Sequence, residues 1–295
     1  ASNGWTGRHL LERNIDKDSA LIGDLVYMHF RSAVRKVPTS LMNAECMQRE
    51  LALMQADNLS TLSRKKKKEI KEEVTDLLLP DMPPTLSGTP FVIDPESNML
   101  YVGTSSIKQA DSLVALLIET LNIEVIPRTP MLMSRELLGQ NASIDVLDFC
   151  GKNLTDDEEH ILGRDFLTWI WYLVEQEGAA FTVPDVGEFE IAIDGPLALQ
   201  AENIGAYESI LRKGIPTQSP EAQIALQAGK KLKSAKVMLS RGDEIWSFTF
   251  DADNFVFRST KLPDGEALDR VTKFEERAGF LHTFQESFFH LYNLF

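Results

Sequence analysis

Leu62-Ser63-Arg64-Lys65-Lys66-Lys67-Lys68-Glu69-Ile70-Lys71-Glu72-Glu73-Val74-Thr75-Asp76-Leu77-Leu78-Leu79-Pro80 carries both the architecture and the chemistry of this chain. Ile70, Val74, Leu77 and Leu78 fall at i, i+4, i+7 and i+8, which makes one apolar stripe of a helix running from about Leu62 to Leu79. Pro80-Asp81-Met82-Pro83-Pro84 ends it, because proline cannot donate the next helical hydrogen bond. Upstream, Pro38 opens another helix. Its stripe of Leu41, Ala44, Met47, Leu51 and Met54 runs out to about Asp57. The polar break Asp57-Asn58-Leu59-Ser60-Thr61 separates the two helices. The pair reads as an antiparallel helical hairpin over 38–84, projecting as an arm.

Working outward, Asp24–Phe30 reads as a strand with two half-apolar faces. Phe91–Asp94 and Met99–Gly103 read as short strands turning at Pro95-Glu96-Ser97-Asn98, followed by a helix capped by Ser105 or Ser106 and ending near Leu121. Thr155-Asp156-Asp157-Glu158 is a capping box for a helix to about Glu177, with Leu162, Phe166, Trp169 and Leu173 on one face. Gly187–Ile193 and Leu197–Ala201 suggest a hairpin turning at Asp194-Gly195-Pro196. Ser219-Pro220-Glu221 caps a helix expected to reach Ser234. Strands follow near Ala235–Ser240, Ile245–Asp251 and Phe255–Lys261, and then a closing helical region. Strand hairpins mixed with single helices, without β-α-β alternation, indicate an α+β fold with mixed or antiparallel sheets. The expected division is 1–37 with 85–130, the arm 38–84, and a second α+β region 131–295.

The 295 residues carry 30 basic and 44 acidic side chains, a net charge of −14. Taken alone this opposes a strongly basic nucleic-acid packer and a binder of anionic membranes. It leaves room for a local basic surface, since charges act over a Debye length of about 8 Å. Two cysteines, Cys46 and Cys150, cannot build a disulfide framework or a cysteine zinc site. A reducing cytoplasm fits, and the apolar runs are too short for a membrane-spanning helix.

The sequence holds no glycine-rich phosphate loop, nucleophile elbow or zinc-protease helix. In Asp156-Asp157-Glu158-Glu159-His160, Asp157 and His160 share a helix face at i and i+3. An acidic first turn favoured by the helix dipole explains them better than a metal does. A nuclease would need clustered carboxylates to hold divalent ions. Asp243, Asp251 and Asp253 sit at turns, where acidic residues are ordinary turn chemistry. Trp169, Trp171 and Tyr172 suit core packing better than a stacking platform. No cofactor is expected.

The basic clusters say more. Arg64, Lys65, Lys66, Lys67 and Lys68 point all round a helix, while Arg64, Lys68 and Lys71 share one flank. Glu69, Glu72 and Glu73 offer local compensation. Lys230, Lys231, Lys233, Lys236 and Arg241 form a run with no acidic residue between Glu221 and Asp243. Arg31, Arg35 and Lys36 add a third group. Several cationic surfaces on an acidic protein fit a sequence-independent duplex binder, which needs phosphate contacts and no base readout.

The order of these pieces resembles the bacterial RdgC family of recombination-associated proteins, also described as exonucleases. The matching residues are Gly4-Trp5, Phe30-Arg31 through Arg35-Lys36-Val37-Pro38, Leu62 to Val74 with Leu77-Leu78-Leu79-Pro80, Leu162-Gly163-Arg164-Asp165-Phe166-Leu167-Thr168-Trp169, and Ala228-Gly229-Lys230. The resemblance implies a ring-forming homodimer whose positively lined hole takes double-stranded DNA. It also implies restraint of the recombinase RecA, a cytoplasmic, nucleoid-associated location and no membrane. It makes Arg31, Arg35, Lys36, Arg64–Lys68, Lys71 and Lys230 DNA-contact candidates, and charge alone extends the set to Lys231, Lys233, Lys236 and Arg241. It further implies an opening strand and helix ahead of Gly4-Trp5, which this sequence does not carry. Asp81-Met82-Pro83-Pro84 holds no aromatic, so an aromatic contact there is not expected to close a ring. The rival readings are a metal-dependent exonuclease and an acidic protein-interaction module.

Overall fold

A computed structural model describes residues 2–12, 14–139, 159–201 and 208–295. The chain divides into two compact units, Ala1–Glu124 and Val125–Phe295. The described elements are α-helices and antiparallel sheets, the α+β mixture that unpaired helices and hairpin strands predict.

In the first unit, β1 (Ser2–Thr6), α1 (Lys17–Ala20), β2 (Leu21–Ile22) and β3 (Leu25–Val34) lead into α2 (Thr39–Ala56) and α3 (Arg64–Leu78). β4 (Thr85–Asp94), β5 (Met99–Val102) and α4 (Ile107–Leu121) complete it. The sheet order is β1-β3-β4-β5, with β2 on the end of β3. Trp5 pairs with Phe30 across β1 and β3. The Trp5 ring meets Phe30 at 6.1 Å and Phe91 at 5.3 Å, edge to face. Its Nε1 donates to Thr120 Oγ1 of α4 at 3.1 Å, so one tryptophan ties the helix to the sheet. Leu113 and Leu117 are the buried side of α4. Ser106 does stand at the N-cap, but its hydroxyl caps nothing. The Thr104 hydroxyl takes the Ser106 amide instead, at 3.1 Å.

The hairpin forms, but only half of the α3 stripe is core: Leu77 is exposed and Leu78 half-buried. Ser63 Oγ accepts the Lys66 amide, the side-chain cap that starts α3. Ile70 and Val74 are buried, and Thr75 of α3 lies beside Met42 of α2 while Lys67 lies beside Glu50, an antiparallel pairing. The stripe of α2 is not a core face, however. α2 buries no residue fully, and Met47 and Leu51 are exposed.

In the second unit, α5 (Pro130–Leu138), α6 (Glu159–Tyr172), β6 (Ala180–Val183), β7 (Gly187–Gln200) and β8 (Glu208–Leu211) are followed by α7 (Pro220–Gln227). Then come β9 (Lys231–Arg241), β10 (Glu244–Asp251), β11 (Val256–Lys261) and α8 (Arg270–Leu294). The sheet runs β11-β10-β9-β7-β6, and β8 also pairs with β7. Alternation along β9 and β10 puts Val237, Leu239, Trp246, Phe248 and Phe250 inward. Phe166, Leu167 and Ile170 of α6 and Phe284, Phe288 and Leu291 of α8 join them in one core. Phe288 meets Phe257 at 4.7 Å and Phe166 at 5.4 Å, edge to face, the favoured geometry for aromatic pairs. Trp171 is core, Trp169 lies against Phe166 and Phe295, and Tyr172 is exposed, so core packing accounts for two of the three aromatics.

Two further stretches fold otherwise than their sequence suggests. Asp194-Gly195-Pro196 is no hairpin turn. β7 runs through it as one strand, paired to β9 on both sides of an irregularity between Asp194 and Ala198. Asp194 Oδ1 accepts the Gly195 amide at 2.7 Å, which absorbs the local irregularity without reversing the chain. The helix at Ser219 stops at Gln227, not Ser234. Gly229 adopts φ +81, and the amides of Lys230 and Gly229 close onto the carbonyls of Ala225 and Leu226. This is a Schellman stop, so Lys231 and Lys233 belong to a strand. The capping box at Thr155–Glu158 lies outside the described residues.

Gly163 marks the closest approach between α6 and the β10–β11 turn. A Cβ there would stand 2.0 Å from the Ala252 carbonyl oxygen. Gly163→Ala is therefore expected to lower stability by about 1–3 kcal/mol. Gly279→Ala, in α8 with open space around it, should raise stability by roughly 0.5–1 kcal/mol. Urea denaturation of the two variants checks both signs.

Candidate nucleic-acid interface

The hairpin is electrically polarised along its length. Residues 57–71, at the tip, carry six basic side chains against two acidic, whereas residues 72–81 carry four acidic and no basic ones. Arg64, Lys65, Lys66, Lys67, Lys68 and Lys71 are all exposed. The first turn of α3 holds no acidic residue. The positive end of the helix dipole thus coincides with Arg64–Lys67, an arrangement that works against the helix and favours an anion in front of it.

Three of the six cations are lightly engaged. Lys66 reaches Glu69 at 3.1 Å, Lys67 reaches Glu50 of α2 at 2.8 Å, and Lys68 reaches Glu72 at 3.5 Å. The hydrogen bond and charge of Glu69 hold Lys66 above the ordinary lysine range. Solvent-exposed pairs of this kind contribute little and exchange readily for a phosphate. Arg64, Lys65 and Lys71 have no ion-pair partner among the described residues.

The group at the root of the hairpin is arranged differently. Arg31 donates to the Leu10 carbonyl at 3.1 Å, and Arg35 donates to the Pro80 carbonyl. Both guanidiniums thereby hold backbone in place, and Lys36 alone of this group is exposed with no bond among the described residues. The helical rise of 1.5 Å per residue puts Arg64 about 24 Å from Pro80, so root and tip are separate sites.

The second-unit run is neutralised at Lys231, Lys233, Lys236 and Arg241, although its own segment contains no acidic residue. Lys231 is 4% exposed and paired with Asp165, which is 0% exposed. Lys233 lies 3.7 Å from Glu208 and 3.9 Å from Asp253. Lys236 bonds Asp194 at 3.1 Å, and that bond, with the Gly195 amide, holds the Asp194 carboxyl below the ordinary range. Arg241 reaches Glu244 at 2.7 Å and the Val186 carbonyl at 3.1 Å, and lies over Phe189 and Trp246. Lys230 donates to Ser209 at 2.6 Å. Carboxylates distant in sequence supply what the run lacks locally, and Lys231 is too buried to meet a ligand.

Two of the three turn carboxylates weighed as metal ligands, Asp251 and Asp253, are also occupied. Arg164 grips Asp253 with two bonds, at 2.5 and 2.8 Å, and Arg258 is paired with Asp251. Among the described residues no group of histidine, cysteine and carboxylates is placed to hold a metal. Asp157 and the side chain of His160 lie outside the described residues. No described helix is long and apolar enough to cross a membrane.

A family model described as "RdgC: Putative exonuclease, RdgC" matches residues 2–137. Residues 2–137 are thus similar to the RdgC family. The match contains the whole first sheet and the hairpin with its basic tip. Similar curated proteins are all called recombination-associated protein RdgC. The one from Shewanella loihica is 34% identical over 100 residues, 32% of this chain and 33% of that protein. The one from Psychromonas ingrahamii is 30% identical over 108 residues, 36% of this chain and 35% of that protein. The one from Pasteurella multocida is 28% identical over 156 residues, 52% and 47%. The matched stretches therefore span about a third to a half of the curated RdgC proteins.

Proposed function

We propose that this chain is a non-enzymatic protein that binds duplex DNA without reading its sequence and acts in recombination. The observation that carries this reading is the hairpin tip, where six exposed cations stand within Arg64–Lys71, four of them in the first turn of a helix, and three of the six lack an ion-pair partner among the described residues. Such a surface takes any phosphate backbone, because phosphate contacts position a protein without specifying bases. Kinship of the first unit to recombination-associated proteins supports the process. In this reading a homodimeric ring holds the duplex, denies RecA its access and keeps the protein on the nucleoid.

The test is binding to a fluorescent linear duplex across a salt series, with magnesium or manganese and then EDTA. The expected result is a logarithmic affinity falling by about 0.9 for each phosphate contact per decade of salt, with the duplex intact throughout. Affinity flat from low to moderate salt, or loss of the labelled end with metal, overturns the reading. Strand exchange by RecA should slow in proportion to duplex occupancy.

A further inference from the structure

α8 holds a basic site that no charge run in the sequence announces. At roughly 100° per residue, Arg270, Lys273, Arg277, Phe284, Phe288 and Leu291 fall within one arc of about 60°. The second half of that arc is core, with Phe284, Phe288 and Leu291 buried. The first half is exposed and carries only the three cations. The face that holds the helix on the sheet therefore turns basic where the described residues of its unit leave it exposed.

The nearby carboxylates do not close over it. Asp269 accepts the amides of Val271 and Thr272, each at 3.0 Å, as the helix cap. Glu276 accepts the amides of Glu266 and Ala267 at 2.9 and 3.2 Å. Gly265 permits that clasp, since a Cβ there would lie 1.9 Å from Glu276 Oε2. Arg270, Lys273 and Arg277 have no ion-pair partner among the described residues, whereas Lys231, Lys233, Lys236 and Arg241 of the same unit each have one.

We propose that Arg270, Lys273 and Arg277 form a second phosphate-backbone site, in the unit that does not carry the hairpin. This deepens the duplex-binding reading and rests on it. The three cations span about 10 Å of helix axis, a line of charge with no aromatic anchor of the kind protein partners require. Two of the three are arginines, whose planar fork fits phosphate oxygens. A polyphosphate backbone is the ligand made for charge alone.

The experiment measures the salt dependence of duplex affinity for the full chain, for Arg270→Gln/Lys273→Gln/Arg277→Gln, and for the single Lys273→Gln, with helix content checked by circular dichroism. A control, Arg212→Gln/Lys213→Gln/Lys261→Gln, makes the same change in net charge elsewhere. The expected result is a salt slope shallower by about 2.7 in the triple variant and about 0.9 in the single one. The control should stay close to wild type, and Arg270→Lys/Arg277→Lys should keep the slope. Unchanged affinity in the triple variant, while a hairpin-tip variant loses binding, overturns this site and leaves duplex binding standing. Equal loss in the control shows that net charge alone is at work and overturns it too. A wild-type chain that binds poly-glutamate and no duplex overturns both readings.

Discussion

Arg64→Glu/Lys65→Glu/Lys71→Glu is expected to weaken duplex binding by at least 100-fold at about 0.1 M salt, on the order implied by three lost phosphate contacts. The same variant should melt no lower than the wild type. Arg64 and Lys65 stand in the first turn of α3, where cations oppose the helix dipole and glutamates would favour it by about 0.3–1 kcal/mol each. None of the three is held by an ion pair among the described residues, so little native structure is given up. The two readouts together decide the role of the tip. A run kept for solvation or helix propensity would lose neither binding nor stability on reversal. A run kept for phosphate loses binding and gains, or holds, stability. Fluorescence anisotropy with a short duplex, paired with thermal melting by circular dichroism, gives both numbers. Wild-type affinity in this variant would remove the hairpin from the interface.

That opposition between local stability and charge is legible in the sequence once the helix is placed, and the helix is well placed. Ser63 and the Ile70–Val74 spacing are local signals, and local signals decide where α3 starts and which side of it is buried, although Leu77 at its end stays exposed. The strands β10 and β11 are readable for the same reason, from alternation and from turn residues between them, whereas the sequence shows only the Leu25–Phe30 part of β3 and the Phe91–Asp94 end of β4. What failed was whatever a distant segment decides. The Asp194-Gly195-Pro196 triplet has turn chemistry, but β9 pairs along the whole of β7 and overrides it. The α2 stripe has the right period, yet Met47 and Leu51 remain exposed. The stop at Gly229 was the avoidable miss, since a glycine just past a short helical run is a local signal as well.

The charge of the second unit shows the same limit at the level of the site. A gap without acidic residues from Glu221 to Asp243 looks like five free cations when it is read along the chain. Folding brings Asp165, Asp194, Glu208 and Asp253 to three of its members, with Glu244 serving Arg241 from just beyond the gap. Conversely Arg270, Lys273 and Arg277 look balanced by Asp269, Glu275 and Glu276 in sequence, yet none of the three has an ion-pair partner among the described residues, and Asp269 and Glu276 turn to backbone amides. Net local charge is a poor guide wherever side chains have tertiary partners. It served at the hairpin tip because a solvated helix end has few.

Lys231 provides the sharpest separation between a charge that binds and a charge that builds. It enters β9 at the foot of α6, 4% exposed, with Asp165 of α6 fully buried beside it. Removing the cation would take the Lys231 charge away from a buried carboxylate, a change that costs about 3–5 kcal/mol in comparable pairs. Lys231→Met is therefore expected to lower the urea midpoint strongly, and Asp165→Leu should do the same from the other side. The double variant Asp165→Leu/Lys231→Met removes both charges and keeps the volume apolar. Replacing a buried pair in this way is often neutral or stabilising, so most of the lost stability should return. Duplex affinity and its salt slope, measured on the double variant while it is folded, should equal those of the wild type. A single Lys231→Met protein as stable as wild type would show that the pair is not buried as described. A double variant with full stability and a shallower salt slope would return Lys231 to the DNA surface. The expected pattern, large in stability and absent in binding, mirrors the pattern expected at Arg64, Lys65 and Lys71.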